Sequence, residues 1–212
     1  MSLRLRFAAL AVLGLAAGCP TDDIGLPDGG GSTQLRVEWT GQPATLPSPL
    51  TNAITLERAV FYPQDLRVVG DAGPISFDRR SLEWARDVSP TADVVPGAPP
   101  GLYSRLLFDL EGGKTDTPYA YELTGTARVG TTTRPFTIRD PGDLEISIEL
   151  STMLRAGETA RIPIRADLDK LVEVVDFALA DVEDGQFLVE DGVQLAAVRD
   201  KLREAFAVHG EP

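Results

Sequence analysis

Tyr119-Ala120-Tyr121-Glu122-Leu123-Thr124-Gly125-Thr126-Ala127-Arg128-Val129 decides the fold class. Tyr119, Tyr121, Leu123, Gly125, Ala127 and Val129 take every second position, and Ala120, Glu122, Thr124, Thr126 and Arg128 stand between them. Successive side chains leave a strand on opposite faces, so a period of two predicts a strand with one face buried. Shorter runs on both sides repeat the pattern. Leu35, Val37 and Trp39 alternate with Arg36, Glu38 and Thr40, and Leu144, Ile146, Ile148 and Leu150 with Glu145, Ser147 and Glu149. Residues 54–62, 66–69, 103–110 and 160–166 are further strand candidates.

Glycine, proline and aspartate gather between these runs, at Gly70-Asp71-Ala72-Gly73-Pro74, Pro96-Gly97-Ala98-Pro99-Pro100-Gly101 and Asp140-Pro141-Gly142-Asp143. Each is a turn or loop on dihedral grounds. Short strands separated by turns, with no intervening helices, predict antiparallel sheets packed face to face: a mainly β protein, an antiparallel β-sandwich. The C-terminal quarter differs. Leu195, Val198, Leu202, Ala205 and Phe206 form a helical stripe over residues 193–208. Leu168, Leu171, Val172 and Val175 form another over 167–180, which Val174-Val175 shortens to a turn or two of helix. The last helix is expected to cover an edge or open end of the sandwich. Residues 34–212 then make one domain, and 43% apolar composition is enough for one ordinary core.

The N-terminus carries a different message. Arg4 and Arg6 precede an apolar run over residues 7–17, and Ala17-Gly18 closes it, which is the layout of a secretory signal. The run is shorter than the ~20 residues a bilayer-spanning helix needs, so residues 1–18 read as a segment that is recognised and removed. Leu15-Ala16-Ala17-Gly18-Cys19 resembles the lipobox at which bacterial lipoprotein precursors are lipidated and cut; Ala16 stands where leucine is commonest. Cys19 is the chain's one cysteine. A secreted domain that used disulfides would show an even number, so Cys19 reads as the lipidation site. Several acyl chains, at ~0.8 kcal/mol per buried methylene, hold a protein on a membrane almost permanently. Residues 19–33, with Gly29-Gly30-Gly31, have the composition of a flexible tether. The expected address is the cell envelope, lipid-anchored at an outer membrane on its periplasmic or surface face.

Composition narrows the partners. Removing residues 1–18 takes away Arg4 and Arg6 and no acid, which moves the formal charge from −12 to −14. That surface repels phosphate backbones, so nucleic acid is excluded as a partner. His209 is the chain's one histidine and stands near the C-terminus, where a general base is poorly held. Zinc, copper and haem sites lean on His and Cys and cannot be built from one of each. No cofactor is called for and no catalytic residue is nominated. Calcium takes carboxylates and carbonyls. Asp181, Glu183, Asp184 and Asp191 form the best local cluster for it, with Asp140 and Asp143 second, although Asp-Gly pairs are foremost hairpin formers. Trp39, Trp84, Tyr103, Tyr119 and Tyr121 could stack on a sugar, but most stand on apolar strand faces and read as core.

Gly101-Leu102-Tyr103-Ser104-Arg105, entered from a proline-rich turn, together with the strands over 54–62 and 144–150, resembles a broad group of extracellular bacterial lipoproteins with a transthyretin-like β-sandwich. The resemblance covers most of residues 34–167 and implies a fold and an address, not an activity. The leading functional expectation is a noncatalytic binding or structural module of the envelope, tethered to a membrane and working with an envelope partner through loops at residues 71–78 and 94–101. A carboxylate hydrolase of envelope polysaccharide or peptide would need two close acids in one cleft, with raised pKa values. A calcium-stabilised adhesion domain would need the four acids to converge. A carrier of apolar ligands would need an open cavity between sheets.

Overall fold

A computed structural model describes residues 32–115 and 117–210. In chain order the elements are β1 (Gln34–Gln42), β2 (Ser48–Pro49), β3 (Ile54–Phe61), β4 (Pro63–Gly70), β5 (Gly73–Ser76), β6 (Leu82–Trp84), β7 (Asp93–Pro96), β8 (Gly101–Leu110), β9 (Tyr121–Val129), β10 (Thr132–Asp140), β11 (Leu144–Leu154), β12 (Thr159–Asp167), α1 (Leu168–Glu173), β13 (Asp181–Glu183), β14 (Gln186–Val189), α2 (Gly192–Ala205) and β15 (Phe206–Val208). The protein is mainly β, and every strand expected from alternation is present.

Three sheets make the sandwich. The first runs β15-β12-β1-β7, the second β13-β14-β10-β9-β3-β2 with β6 also on β3, and the third β11-β8-β4-β5. Tyr62 alone separates β3 from β4, so the chain steps from the second sheet to the third at a sharp corner. The inner faces meet in aromatic contacts. Phe206 of β15 meets Phe61 of β3 and Phe108 of β8 edge-on, both at 5.3 Å between ring centroids, and Trp39 of β1 meets Phe108 at 6.2 Å. Edge-to-face pairs place the positive rim of one ring on the negative face of another.

The opening run forms β9, sandwiched between β3 and β10, and Gly125 shows why it is not uniformly bulky. Opposite it, β3 bulges between Leu56 and Arg58. A Cβ on Gly125 would lie 2.1 Å from the Thr55 carbonyl oxygen and 2.8 Å from Phe136.

Two features depart from expectation. The sheets are mixed, because β1 pairs β12 in parallel and β10 pairs β14 in parallel. Alternation reports which face is buried, not the direction of the neighbouring strand. The helical stripe over 193–208 also ends early. Phe206 leaves the helix at φ −96° and ψ 120°, and residues 206–208 pair with the edge of β12 instead. α2 packs on α1 and on the end where β10 turns into β11. There Arg199 grips Asp140, which is fully buried, with Nε and Nη2 at 2.6 and 2.5 Å. α1 stops at Glu173 because the chain beyond Val174-Val175 is drawn into the second sheet. Phe177 packs on Phe136 and Phe187 at 4.9 and 5.7 Å.

Candidate functional site

β1 points Trp39 inward, where its Nε1–H donates to Asp93 Oδ2 at 2.7 Å. The same carboxylate receives Nε of Arg79 at 2.7 and 2.9 Å on its two oxygens, and Nη2 of Arg79 donates to the Thr91 carbonyl at 2.7 Å. Arg79 and Asp93 side chains are each only 13% exposed, so this charge-assisted set pins residues 79–93 across the end of the sandwich. Within that strap β6 presents Trp84, paired opposite Ala59 of β3 and edge-on to Phe61 at 6.0 Å.

Trp84 is 2% exposed, and among the described residues its Nε1–H has no acceptor. β1 approaches the indole closely because residue 41 is glycine; a Cβ there would stand 2.9 Å from Trp84 Nε1. Trp39, Thr40, Gly41, Ala44, Trp84 and Ser89 line a cleft of ≈ 160 Å³ at this point. A second cleft of ≈ 300 Å³ shares Ala44 and Ser89 with it and continues past Leu46, Asp87 and Val88. Its rim is a tight turn in which Ala85 and Val88 exchange backbone hydrogen bonds of 3.0 and 3.1 Å, with Asp87 at φ 58°. Asp is among the few non-glycine residues that accept that conformation readily.

Elsewhere, a cleft of ≈ 460 Å³ lies beside β5, lined by Asp65, Phe77, Arg79, Arg80 and Thr117 among others. Its half-buried cation, Arg79, is already committed to Asp93. A further hollow of ≈ 170 Å³ lies between Leu179 and Val193.

The residues singled out by sequence fall as follows. Cys19 lies outside the described residues, as do 1–18 and nearly all of the expected tether. Asp181, Glu183 and Asp184 belong to the β13–β14 hairpin. Its two-residue turn, Asp184 at φ 48° and Gly185 at φ 81°, has the left-handed pair that a type I′ turn requires. Asp191 precedes α2 without capping it through its side chain. No group of three or more His, Cys, Asp or Glu among the described residues is placed to hold a metal ion, so the convergence that calcium requires is not found there. Asp140 is committed to Arg199 and to the Gly142 N–H at 2.8 Å. His209 is exposed; its backbone N–H donates to Pro163 and its Nδ1 lies 3.3 Å from Arg165 Nη1.

Trp39, Trp84, Tyr103 and Tyr121 are core, whereas Tyr119 sits half-buried under the Arg139 guanidinium at 4.6 Å. The stretches 71–78 and 94–101 are less loop-like than expected, since they contain β5 and most of β7. Tyr103 of the Gly-x-Tyr element donates its hydroxyl to the Pro99 carbonyl at 2.6 Å and so ties down the proline turn before it. One carboxylate pair stands across adjacent strands: Asp109 of β8 faces Glu145 of β11. Burial, then the Glu145 charge, pushes Asp109 up. The pair lines none of the clefts described above. The space between sheets is occupied by Phe61, Phe108 and Phe206, where an apolar-ligand carrier would need it open. Sequence reasoning read most of the five aromatics as core without singling out Trp84, and could not show that its N–H would lack a partner.

No family model, curated protein or solved structure matches this chain.

Proposed function

We propose that this chain is a noncatalytic binding module of a bacterial envelope, held on the membrane by lipid on Cys19, with its binding surface at the tryptophan cleft. The observation that carries the reading is the position of the chain's one cysteine, directly after a basic, apolar, small-residue leader. The similarity to lipoproteins in Leu15-Ala16-Ala17-Gly18-Cys19 and in Gly101-Leu102-Tyr103 points the same way. The fold adds a direction. β1 begins at Gln34, next to the lipid-bearing segment in sequence, and reaches the cleft at Gly41. Seven residues of strand at ~3.3 Å each separate the two by about 23 Å. A domain tethered at one end of β1 therefore carries its cleft toward the other end.

The test is fractionation of cells expressing the native chain or Cys19→Ser. The native protein is expected in the membrane fraction and released only by detergent, with the variant soluble. Equal solubility of the two would overturn the anchored reading.

A further inference from the structure

We infer that the hollow between Leu179 and Val193 is a docking site for a basic segment of a partner protein, which seats one apolar side chain in the hollow and sets its Lys or Arg neighbours against the acids around it. The inference goes beyond the anchored binding-module reading and uses neither Cys19 nor the tryptophan cleft.

Leu179 and Val193 are the two most exposed large apolar side chains among the described residues, at 72% and 82%. Apolar residues exposed singly need no explanation. These two line one hollow of ≈ 170 Å³, with Ala180 beside them and the buried Leu188 and Val189 also in its wall. The backbone that presents them is ordered. Asp176 N–H donates to Gln194 Oε1 at 3.1 Å and ties the turn before Leu179 to α2; Ala178 N–H donates to Asp176 Oδ1 at 3.0 Å, and Leu179 N–H to the Asp176 carbonyl at 2.9 Å. Val193 stands in the first turn of α2. A partner that covers the two finds them already in place, and so has little ordering to pay in entropy.

Charge decides what covers them. Residues 171–198 contain seven Asp and Glu and no Lys, Arg or His. Glu190 is spent on Arg139 at 2.7 Å. Asp181 and Asp191 line the hollow itself, both exposed and neither paired with a cation among the described residues. That rim repels a second copy of a chain at −12 and an anionic lipid surface. It also repels the chain's own residues 19–33, which carry Asp22, Asp23 and Asp28 and no cation. A small cation would meet the charge and leave Leu179 and Val193 bare. An apolar side chain flanked by Lys or Arg meets both. Size agrees, since at ~30 Å³ per water the hollow holds about five or six water-sized groups, the bulk of one leucine or phenylalanine side chain. Position agrees as well. β12 runs parallel to β1 and delivers α1 at the end of the sandwich opposite Gln34, and α2, whose first turn forms part of the hollow, packs on α1. The site faces away from the end where residues 19–33 enter the domain.

The probe is a fluorescein-labelled synthetic peptide, Gly-Lys-Arg-Leu-Arg-Lys-Gly, titrated with the full chain in a neutral maltoside detergent and followed by anisotropy. Saturable binding is expected. It should weaken about tenfold when Ser replaces the central Leu of the peptide, and vanish when Glu replaces its cations. On the protein, Leu179→Ser/Val193→Ser should weaken binding about tenfold, and at two surface positions it leaves the core untouched. Asp181→Asn/Asp191→Asn should weaken it about fivefold at low salt and flatten its salt dependence. Glu57→Gln/Asp71→Asn, at two exposed acids elsewhere, should leave it unchanged. No saturable binding, or a serine peptide that binds as tightly as the leucine peptide, would overturn the proposal. So would an equal loss from Glu57→Gln/Asp71→Asn, which would make the attraction a property of the whole charge, or a dimer in sedimentation that Leu179→Ser/Val193→Ser breaks, which would give the hollow to a second copy. A soluble native protein that still binds the peptide would sink the anchor alone, and an anchored protein blind to it would sink the docking site alone.

Discussion

Removing the Arg199 guanidinium should destabilise the domain by about 3 kcal/mol, because it strands a carboxylate that water cannot reach. Asp140 is 0% exposed and accepts three hydrogen bonds: Nε and Nη2 of Arg199 at 2.6 and 2.5 Å and the Gly142 N–H at 2.8 Å. Breaking a buried pair from one side costs roughly 3–5 kcal/mol, since the remaining charge stays desolvated. The Arg199 side chain is 37% exposed, and solvent can enter where it is removed, which places Arg199→Ala near the low end. For a domain of this size each kcal/mol lowers Tm by about 2–4 °C, so the expected fall is about 6–12 °C. Urea and thermal unfolding followed by circular dichroism measure it. Hydrogen exchange should show the loss concentrated in α2, which Arg199 fastens to the β10–β11 turn. The double variant Asp140→Asn/Arg199→Met should recover at least about 1 kcal/mol relative to the sum of the single changes, because it leaves no buried charge. A loss below about 1 kcal/mol in Arg199→Ala with native spectra, or strict additivity in the double variant, would refute this reasoning.

Other expectations follow from particular contacts. Phe206→Ala removes the ring that joins Phe61 to Phe108 and should cost about 3–5 kcal/mol in urea unfolding, a large value for a residue so near the chain's end. Burial pushes the Asp167 carboxyl up, but hydrogen bonds from Lys170 and Arg165 outweigh it and hold the group below its ordinary value. Its folded pKa is therefore the lower one. The stability gap between the native chain and Asp167→Asn should be full at neutral pH and close as pH falls below about 4. The Tyr121 phenol is raised far above its ordinary value, first by burial and then by the Asp140 charge. Stability should then fall as pH rises above about 10, where the unfolded phenol ionises, and Tyr121→Phe should flatten that fall while costing little at neutral pH.

Much of the fold is legible in the sequence because one face of most strands is buried, and burial writes itself as alternation. Tyr121, Leu123 and Ala127 on β9 and Leu144, Ile146 and Ile148 on β11 are buried at every second position, with polar neighbours between. Strand β10 escapes that reading. Its first half, Thr132-Thr133-Arg134-Pro135, is polar and contains a proline, and only Phe136, Thr137 and Ile138 meet β14. Pro135 is tolerated because it lies outside the part of the strand flanked on both sides. Strand β15 escapes for another reason. Phe206 follows Leu202 by four positions and so continues a helical stripe, but the free edge of β12 offers Phe206, Ala207 and Val208 a ladder that the helix cannot. Parallel neighbours such as β1 and β12 lie far apart in sequence, and no local period records that pairing.

The candidate site was legible only in part. Trp39 stood on the apolar face of an expected strand, whereas Trp84 stood on none and was read as core only together with the other aromatics. The cleft depends on where residues 79–93 are pinned, which is set by Asp93 receiving Trp39 and Arg79 together. Nothing in the spacing of those three residues predicts that they meet. The acidic Asp181–Asp191 stretch stood out instead because composition is visible in sequence and convergence is not.

The anchored reading is tested most directly by the intact mass and first residue of the mature protein purified from its native membrane. It predicts a chain that begins at Cys19, carries the mass of a diacylglyceryl group with any further acyl chain, and has no free thiol. A mature chain that begins elsewhere, or that carries Cys19 as an unmodified thiol, would contradict it.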